Sequence, residues 1–412
     1  MHAETGKAQD QPPTVRSGGV DRRGLLAGGA VVAAGLGAGV TALALGGGNV
    51  RGGSRAEGGH GRTAPPPEPP AVPFHGVRQA GVTAPQEPAT QLLALDLAPA
   101  AVSDGRAALR GLLGALTGVL AGAAGADPAD ARLRDGGPAR FSSLVGVGPG
   151  LSARLGLNVP PALLPGLPEF PGDRLDPARG GGDLLVQLCA ADRWPLSVVA
   201  EQVEAAGRAA GATVRWTQSG FLARTAGGAT PRNLFGFKDG TANPDAADAG
   251  QWVWGPPGPY EHGTVLVYRR IRMDTAAFAA LPGDRQEQVM GRRAGDGSPL
   301  TGTAEHDEPD TYAKNPDGSY VIPATAHVRL SSPRLDGGSR MLRRGYSYDD
   351  GPGDRGLLFC AFVRDPAQFT RVQNRLAARD ALNAFVEHTA SAVAYVLPGA
   401  PEGGTLGEGL FV

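Results

Sequence analysis

The sequence predicts an α+β fold of two ferredoxin-like domains, each an antiparallel sheet with helices on its periphery. Three observations predict it. The chain has 412 residues, enough for two domains with full hydrophobic cores. Short apolar runs of strand length alternate with longer runs at helical spacing. The order strand, helix, strand, strand, helix, strand fills the first half, and a comparable set fills the second.

The first 45 residues read as an address. Arg22-Arg23 precede Gly24-Leu25-Leu26, and no charge returns until Arg51. A twin arginine followed by a mildly apolar, glycine-rich run is the pattern of a Tat signal, with Ala42-Leu-Ala44 as a candidate cleavage site. The run is long enough to span a membrane, but its glycines make it weakly hydrophobic for that purpose. Residues 46–72 are Gly-rich, then Pro-rich (Ala64-Pro-Pro-Pro-Glu-Pro-Pro70), and read as a disordered, partly extended tether.

Residues 73–224 form the predicted N-terminal domain. Leu92–Leu97 reads as a strand and Ala101–Leu120 as a helix. Strands follow at Phe141–Val147 and Asp183–Ala190, then a helix at Leu196–Ala210 and a strand at Ala212–Thr217. Residues 225–412 form the second domain. Thr264–Met273 is a strand, Thr275–Met290 holds helical material, and Val328–Leu330 and Met341–Tyr348 border a loop. Gly356–Val363 is a strand, Pro366–Ala378 and Arg379–Thr389 are helices, and Ala394–Leu397 closes the chain.

A formal charge of −1 gives no basic surface for nucleic acid, so no nucleic-acid partner is expected. The two cysteines, Cys189 and Cys360, lie inside apolar strand-like runs and read as buried thiols. Two thiols do not make an iron–sulfur cluster or a thiolate zinc site.

The chemistry is concentrated in Asn233-Leu-Phe-Gly-Phe-Lys-Asp-Gly-Thr-Ala-Asn-Pro244. Gly236 and Gly240 flank Asp239, and glycine lets a backbone turn sharply and approach a ligand. A carboxylate on such a turn, beside Phe235 and Phe237, sits where its reach and pKa are tunable. Read alone, it is equally an Asp that caps a turn. Two later segments alter that balance. Ala326-His327-Val-Arg-Leu330 sets a histidine at the head of an apolar run, and Met341-Leu-Arg-Arg-Gly-Tyr-Ser-Tyr348 carries paired arginines.

Acid, histidine and arginine in these local contexts resemble the dye-decolorizing haem peroxidases, nearest the Tat-exported branch with the deferrochelatase-type proteins. Asp183-Leu-Leu-Val-Gln-Leu-Cys-Ala190, Val214-Arg-Trp216 and Glu305-His-Asp-Glu-Pro-Asp310 share in the resemblance, which runs from about Phe74 to the C-terminus. It implies the dimeric α+β barrel fold of that family and one haem b per chain. It also implies a peroxidase that uses hydrogen peroxide to oxidise dyes, phenols or other one-electron donors. An exported, extracytoplasmic location follows from the Tat signal. The Tat machinery is then a partner, iron-uptake proteins are a further class of partner, and the sequence leaves oligomeric state open.

The resemblance makes His327 the axial ligand of haem iron, through a neutral imidazole nitrogen. Of the other six histidines, His2 and His60 precede the fold and His75 sits at its edge. His262 is in a turn, His306 in an acidic loop and His388 on a predicted helix. Asp239 would take the first proton of peroxide and return it to the leaving oxygen. Arg343 would stabilise the charge that gathers there. Adjacent strand residues face opposite ways, so only one of Arg343 and Arg344 meets the haem, and the family pattern selects Arg343. Leu357 and Phe359 share one strand face and form either an apolar wall or ordinary core. The resemblance adds contacts at Phe237, Lys238, Ser332, Pro333 and Arg334, with Arg329 and Arg334 as propionate partners. An acid in the distal position implies activity favoured at acidic pH.

A proximal histidine is usually oriented by a carboxylate. The expected place, near Leu382-Asn-Ala-Phe385, holds no acid, and Glu387 is the nearest substitute. The Glu305–Asp310 acids read as a solvated structural loop. Tyr346, Tyr348, Trp252, Trp254 and Tyr395 are candidates by type for surface oxidation, or packing residues. Two other functions use the same pocket: release of iron from haem with the porphyrin intact, and haem binding or delivery without turnover.

Overall fold

The structure, a computed structural model, describes residues 71–100, 102–134, 140–223, 225 and 229–412. The expected signal segment, and the tether as far as residue 70, lie outside the described residues. The first half contributes β1 (Ala89–Leu97), α1 (Val102–Ala124), β2 (Ser142–Val147), α2 (Pro149–Leu155), β3 (Leu184–Ala190), α3 (Arg193–Ala209) and β4 (Ala212–Phe221). The second contributes α4 (Ala246–Trp252), β5 (Thr264–Met273), α5 (Thr275–Ala279), α6 (Gly283–Met290) and α7 (His327–Leu330). It continues with β6 (Leu342–Arg343), β7 (Tyr346–Asp349), β8 (Arg355–Val363), α8 (Pro366–Arg379) and β9 (Val386–Val396).

The strands run β5-β9-β2-β3-β1-β4-β7-β8, and β8 pairs again with β5, so the sheet closes on itself. Every pairing is antiparallel. Each half supplies four neighbouring strands, and the seams between halves are narrow. β2 meets β9 at Gly146↔Val396 and Val147↔Tyr395, and β4 meets β7 at Phe221↔Ser347.

Strand alternation sorts the core into layers. Leu93, Leu95 and Leu97 of β1 pack with Leu109, Leu112 and Leu116 of α1 and with Val199 and Val203 of α3. Leu92 and Ala94 point the other way, into the ring, beside Trp216, Tyr268, Tyr346, Tyr348, Leu358, Cys360 and Phe362. Both strand faces are buried, which explains the nearly continuous apolar runs. Cys189 and Cys360 are buried and free. Trp194, not the expected aromatics, is the most exposed large aromatic, since Tyr346, Tyr348, Trp254 and Tyr395 are all core residues.

Two elements differ from expectation. Residues 379–389 are not one helix. Helix α8 begins in a capping box between Asp365 and Gln368, with Pro366 in its first turn, and stops at Asp380. A 3-10 turn (Ala381–Ala384) follows, and β9 begins at Val386. The alanines of Ala390-Ser-Ala-Val-Ala394 suit a helix by propensity, but here they fill the narrow ring interior, where pairing with β5 decides their conformation. His388 is therefore a strand residue. Val328–Leu330 is likewise helical: His327 opens the short helix α7.

Candidate active site

The Asp239 turn is built as its glycines suggest. Gly236 and Gly240 adopt φ of 86° and 113°, a region open to glycine. The Asn233 side chain accepts from the Phe235 N–H at 3.0 Å, and the Asp239 N–H donates to the Pro231 carbonyl at 2.9 Å. Phe237 is buried with Phe235, Met273, Phe278 and Val289. Leu357, Leu382 and Phe385 pack on the same cluster, so one apolar body joins the Asp239 turn to the segment after α8.

β6 and β7 are one strand broken at Arg344-Gly345, and both pair with β8. Arg343 and Arg344 point apart, as strand geometry requires. Arg344 donates to the Ala84 carbonyl at 2.5 Å, whereas Arg343 lines a cavity with Asp239, Leu357, Gln86, Asn233 and Ser347. The Arg343 Nε is buried without a hydrogen-bond partner. Arg292 lies close by: burial, then the Arg343 charge, hold its pKa below the ordinary arginine value. Asn243 reaches across from the Asp239 turn, accepting from the Arg343 N–H at 2.9 Å and donating to its carbonyl at 2.7 Å.

Leu358 and Cys360 are buried in the ring, while Leu357 and Phe359 face outward and stay half-buried. Phe359 also meets Phe369 of α8, with ring centroids 5.8 Å apart.

His327 Nδ1 lies 2.6 Å from Oδ2 of Asp380, itself buried. Burial works against the imidazolium, but the Asp380 charge and hydrogen bond outweigh it and raise the His327 pKa above the ordinary value. The Asp239 charge adds to the rise and the Arg343 charge opposes it, so both groups are felt at this ring. The ring lies deep in the protein, yet 34% of its side-chain surface is accessible. Nε2 has no hydrogen-bond partner among the described residues.

Asp380 is the carboxylate that the sequence left unassigned. It precedes Leu382-Asn-Ala-Phe385 by two residues, at the junction of α8 and the 3-10 turn. Its other oxygen accepts from the Leu382 N–H at 2.9 Å, so an Asp just before a turn was the available signal. Glu387 instead pairs with Arg272 at 3.0 Å and Arg174 at 3.4 Å.

The remaining expected contacts are placed as follows. Lys238 is ion-paired to Glu305, which also accepts from Thr241 at 3.1 Å. Burial alone would raise the Glu305 pKa, but hydrogen bonds from Lys238, Thr230 and Thr241 bring it down to about 2. Both expected propionate partners are engaged elsewhere. Arg329 donates to the Thr311 carbonyl and stacks 3.9 Å from the Tyr320 ring, and Arg334 pairs with Glu308 at 2.8 Å. Ser332 caps the turn that starts at Pro333, whose Asp336 holds Arg375 at 2.6 Å. Arg375 also donates to the Leu330 carbonyl at 2.6 Å, which fixes α7 against α8. In the 305–310 loop the acids stabilise local structure: Asp307 accepts from the Thr303 and Ala304 N–H groups, and Asp310 from Tyr312.

These residues fit a haem. An imidazole nitrogen without a partner, an imidazole oriented by a carboxylate, half-buried apolar strand residues and a buried arginine Nε without a partner suit such a group.

Comparisons with known proteins agree. Residues 79–222 match the family model described as Dyp-type peroxidase, N-terminal, and residues 230–401 match Dyp-type peroxidase, C-terminal. A dye-decolorizing peroxidase of Thermobifida fusca (strain YX) is 40% identical over 299 residues, 66% of this chain and 68% of the relative. A deferrochelatase of Yersinia pseudotuberculosis serotype I is 35% identical over 367 residues, 79% of this chain and 81% of the relative. Among solved structures, an oxyferrous complex of DtpA from Streptomyces lividans matches with TM-score 0.77 at 36% identity. That match covers 82% of this chain and 97% of the other.

Proposed function

Since this chain belongs to the Dyp-type peroxidase family, we propose that His327 would hold the iron of its haem and that Asp239 and Arg343 would carry the reaction with peroxide. The enzyme is an oxidoreductase with haem as cofactor, and peroxide and a reducing substrate as its reactants. Haem, when bound, supplies the iron that takes up peroxide and stores its oxidising equivalents for two one-electron donors. The protein supplies the rest. Asp380 accepts a hydrogen bond from the Nδ1–H of His327, which would leave Nε2 as the ligating atom and increase its basicity. Asp239 takes the first peroxide proton and returns it to the leaving oxygen. The Arg343 guanidinium stabilises negative charge as that oxygen departs, in a site where low dielectric strengthens the interaction. Leu357 and Phe359 exclude water from one side.

The observation that carries this reading is the cavity that Asp239 and Arg343 line together. Stopped-flow absorption of the haem-loaded protein with one equivalent of peroxide tests it, beside Asp239→Ala and Arg343→Leu. Each substitution should slow the reaction at least about a hundredfold. Full rates in both variants would refute the assignment.

A second reading is iron release from haem, supported by the similarity to deferrochelatases. Metal-free porphyrin recovered after turnover would favour it; intact haem would exclude it. Export by the Tat route to an extracytoplasmic location is supported by Arg22-Arg23 and the uncharged run to Arg51. Retention of an Arg22→Lys, Arg23→Lys variant inside the cell would support it, and undiminished export would refute it. Iron-uptake proteins are partners only on the iron-release reading.

A further inference from the structure

We infer that Asn243 is a positioning residue, a peptide-shaped clamp that sets the Arg343 guanidinium against Asp239; the inference rests on the assignment of Arg343 above. An arginine in a site is commonly aimed by a carboxylate. Arg343 has none: no ion pair involves it among the described residues, and its buried Nε has no hydrogen-bond partner. Its direction must therefore come from its backbone.

That backbone is short of restraints. β6 is two residues long, and its ladder to β8 is continued by the Arg344 N–H, which donates to the Cys360 carbonyl at 2.8 Å. Both polar groups of Arg343 itself point the other way, because bonding in an antiparallel pair alternates between the two edges. Asn243 takes both. Its Oδ1 accepts from the Arg343 N–H at 2.9 Å, and its Nδ2 donates to the Arg343 carbonyl at 2.7 Å. A primary amide is the side chain that reproduces this two-point pairing, since it carries an acceptor and a donor in one plane.

The clamp also carries position information. The Asn243 N–H donates to the Gly240 carbonyl at 3.0 Å, and the Asp239 N–H to Pro231 at 2.9 Å, so Asn243 and Asp239 belong to one braced turn. Fixing Arg343 to that turn, across one hundred residues of sequence from Asn243, fixes the spacing between the proton-moving carboxylate and the charge-stabilising guanidinium. Small misplacements of such groups cost large factors in rate.

The test compares Asn243→Ala, Asn243→Asp, Arg343→Leu and the Asn243→Ala, Arg343→Leu double variant. Peroxide kinetics of the haem-loaded proteins are measured alongside haem affinity, and hydrogen exchange over residues 341–345 is measured in the haem-free proteins. Asn243→Ala should slow the peroxide reaction roughly ten- to a hundredfold, speed exchange at the Arg343 amide, and leave haem affinity unchanged. Asn243→Asp, which keeps the acceptor and loses the donor, should fall between. In the Arg343→Leu background Asn243→Ala should add nothing. An unchanged rate in Asn243→Ala, an equal further loss in the double variant, or a loss that tracks haem occupancy would each overturn the inference. A normal rate in Arg343→Leu would instead overturn the catalytic assignment itself, and this inference with it.

Discussion

Asp380 holds His327 at 2.6 Å with one carboxylate oxygen and caps the following 3-10 turn at Leu382 with the other. The same residue therefore ends α8, starts the turn into β9 and orients the histidine. Asp380→Asn keeps an oxygen for the cap but presents an amide N–H to His327 Nδ1. The imidazole must then carry its proton on Nε2, the atom proposed to bind iron. The haem reduction potential should rise and the peroxide reaction should slow by roughly ten- to a hundredfold. In the haem-free protein the His327 pKa should fall, because Asp380 is what raises it. Spectroelectrochemistry and imidazole NMR titration measure the two effects. An unchanged potential would show that Asp380 serves only the turn.

The ring of strands depends on a glycine. A Cβ at Gly356 would lie 1.9 Å from the Ile271 carbonyl oxygen, a backbone atom in the β5–β8 seam. Gly356→Ala should destabilise by the upper end of about 1–3 kcal/mol or more, since a seam of paired backbone has little room to yield. Gly114 of α1 is the contrast: nothing lies within 4 Å of its added Cβ. Gly114→Ala should stabilise by about 0.5–1 kcal/mol, through helix propensity and lost freedom in the unfolded chain. Urea unfolding midpoints at constant slope separate the two. Equal, small effects would mean that the seam tolerates opening.

Local signals made much of this legible. The Asp239 turn could be read because glycines at 236 and 240 bracket one acid, and the opposed faces of Arg343 and Arg344 follow from strand geometry. Thr264–Met273 was legible because β-branched and apolar residues fill its first half, Thr264–Tyr268. Contacts set by distant pairing were not. Nothing in Arg329 or Arg334 reveals that Tyr320 and Glu308 would claim them. The adjacent Arg269 and Arg270 look like a solvent-facing pair. Both are nearly fully buried, one ion-paired with Asp173, the other with Asp350 and Asp354 at 2.8 Å. Only the ring closure, which buries both faces of β5, turns that pair into two buried, ion-paired guanidinium groups.

The Arg269 cluster has a pH signature separate from the active site. His388 Nδ1 accepts from Arg269 Nε at 3.3 Å, and burial together with the Arg269 charge lowers its pKa to about 4, with Asp173 opposing. The unfolded histidine titrates near 6.5. Between those values the unfolded chain binds a proton that the folded chain refuses. Stability therefore falls as pH drops from about 6.5 to about 4, and is unaffected by this group above that window. The full loss is about 3 kcal/mol, at roughly 1.36 kcal/mol per pKa unit. His388→Gln, which keeps an acceptor for Arg269 but does not titrate, should lose that part of the slope. Urea unfolding of the haem-free protein at pH 7, 5.5 and 4 measures it. Parallel pH profiles for the two proteins would mean that His388 takes up its proton as readily in the folded chain as in the unfolded one.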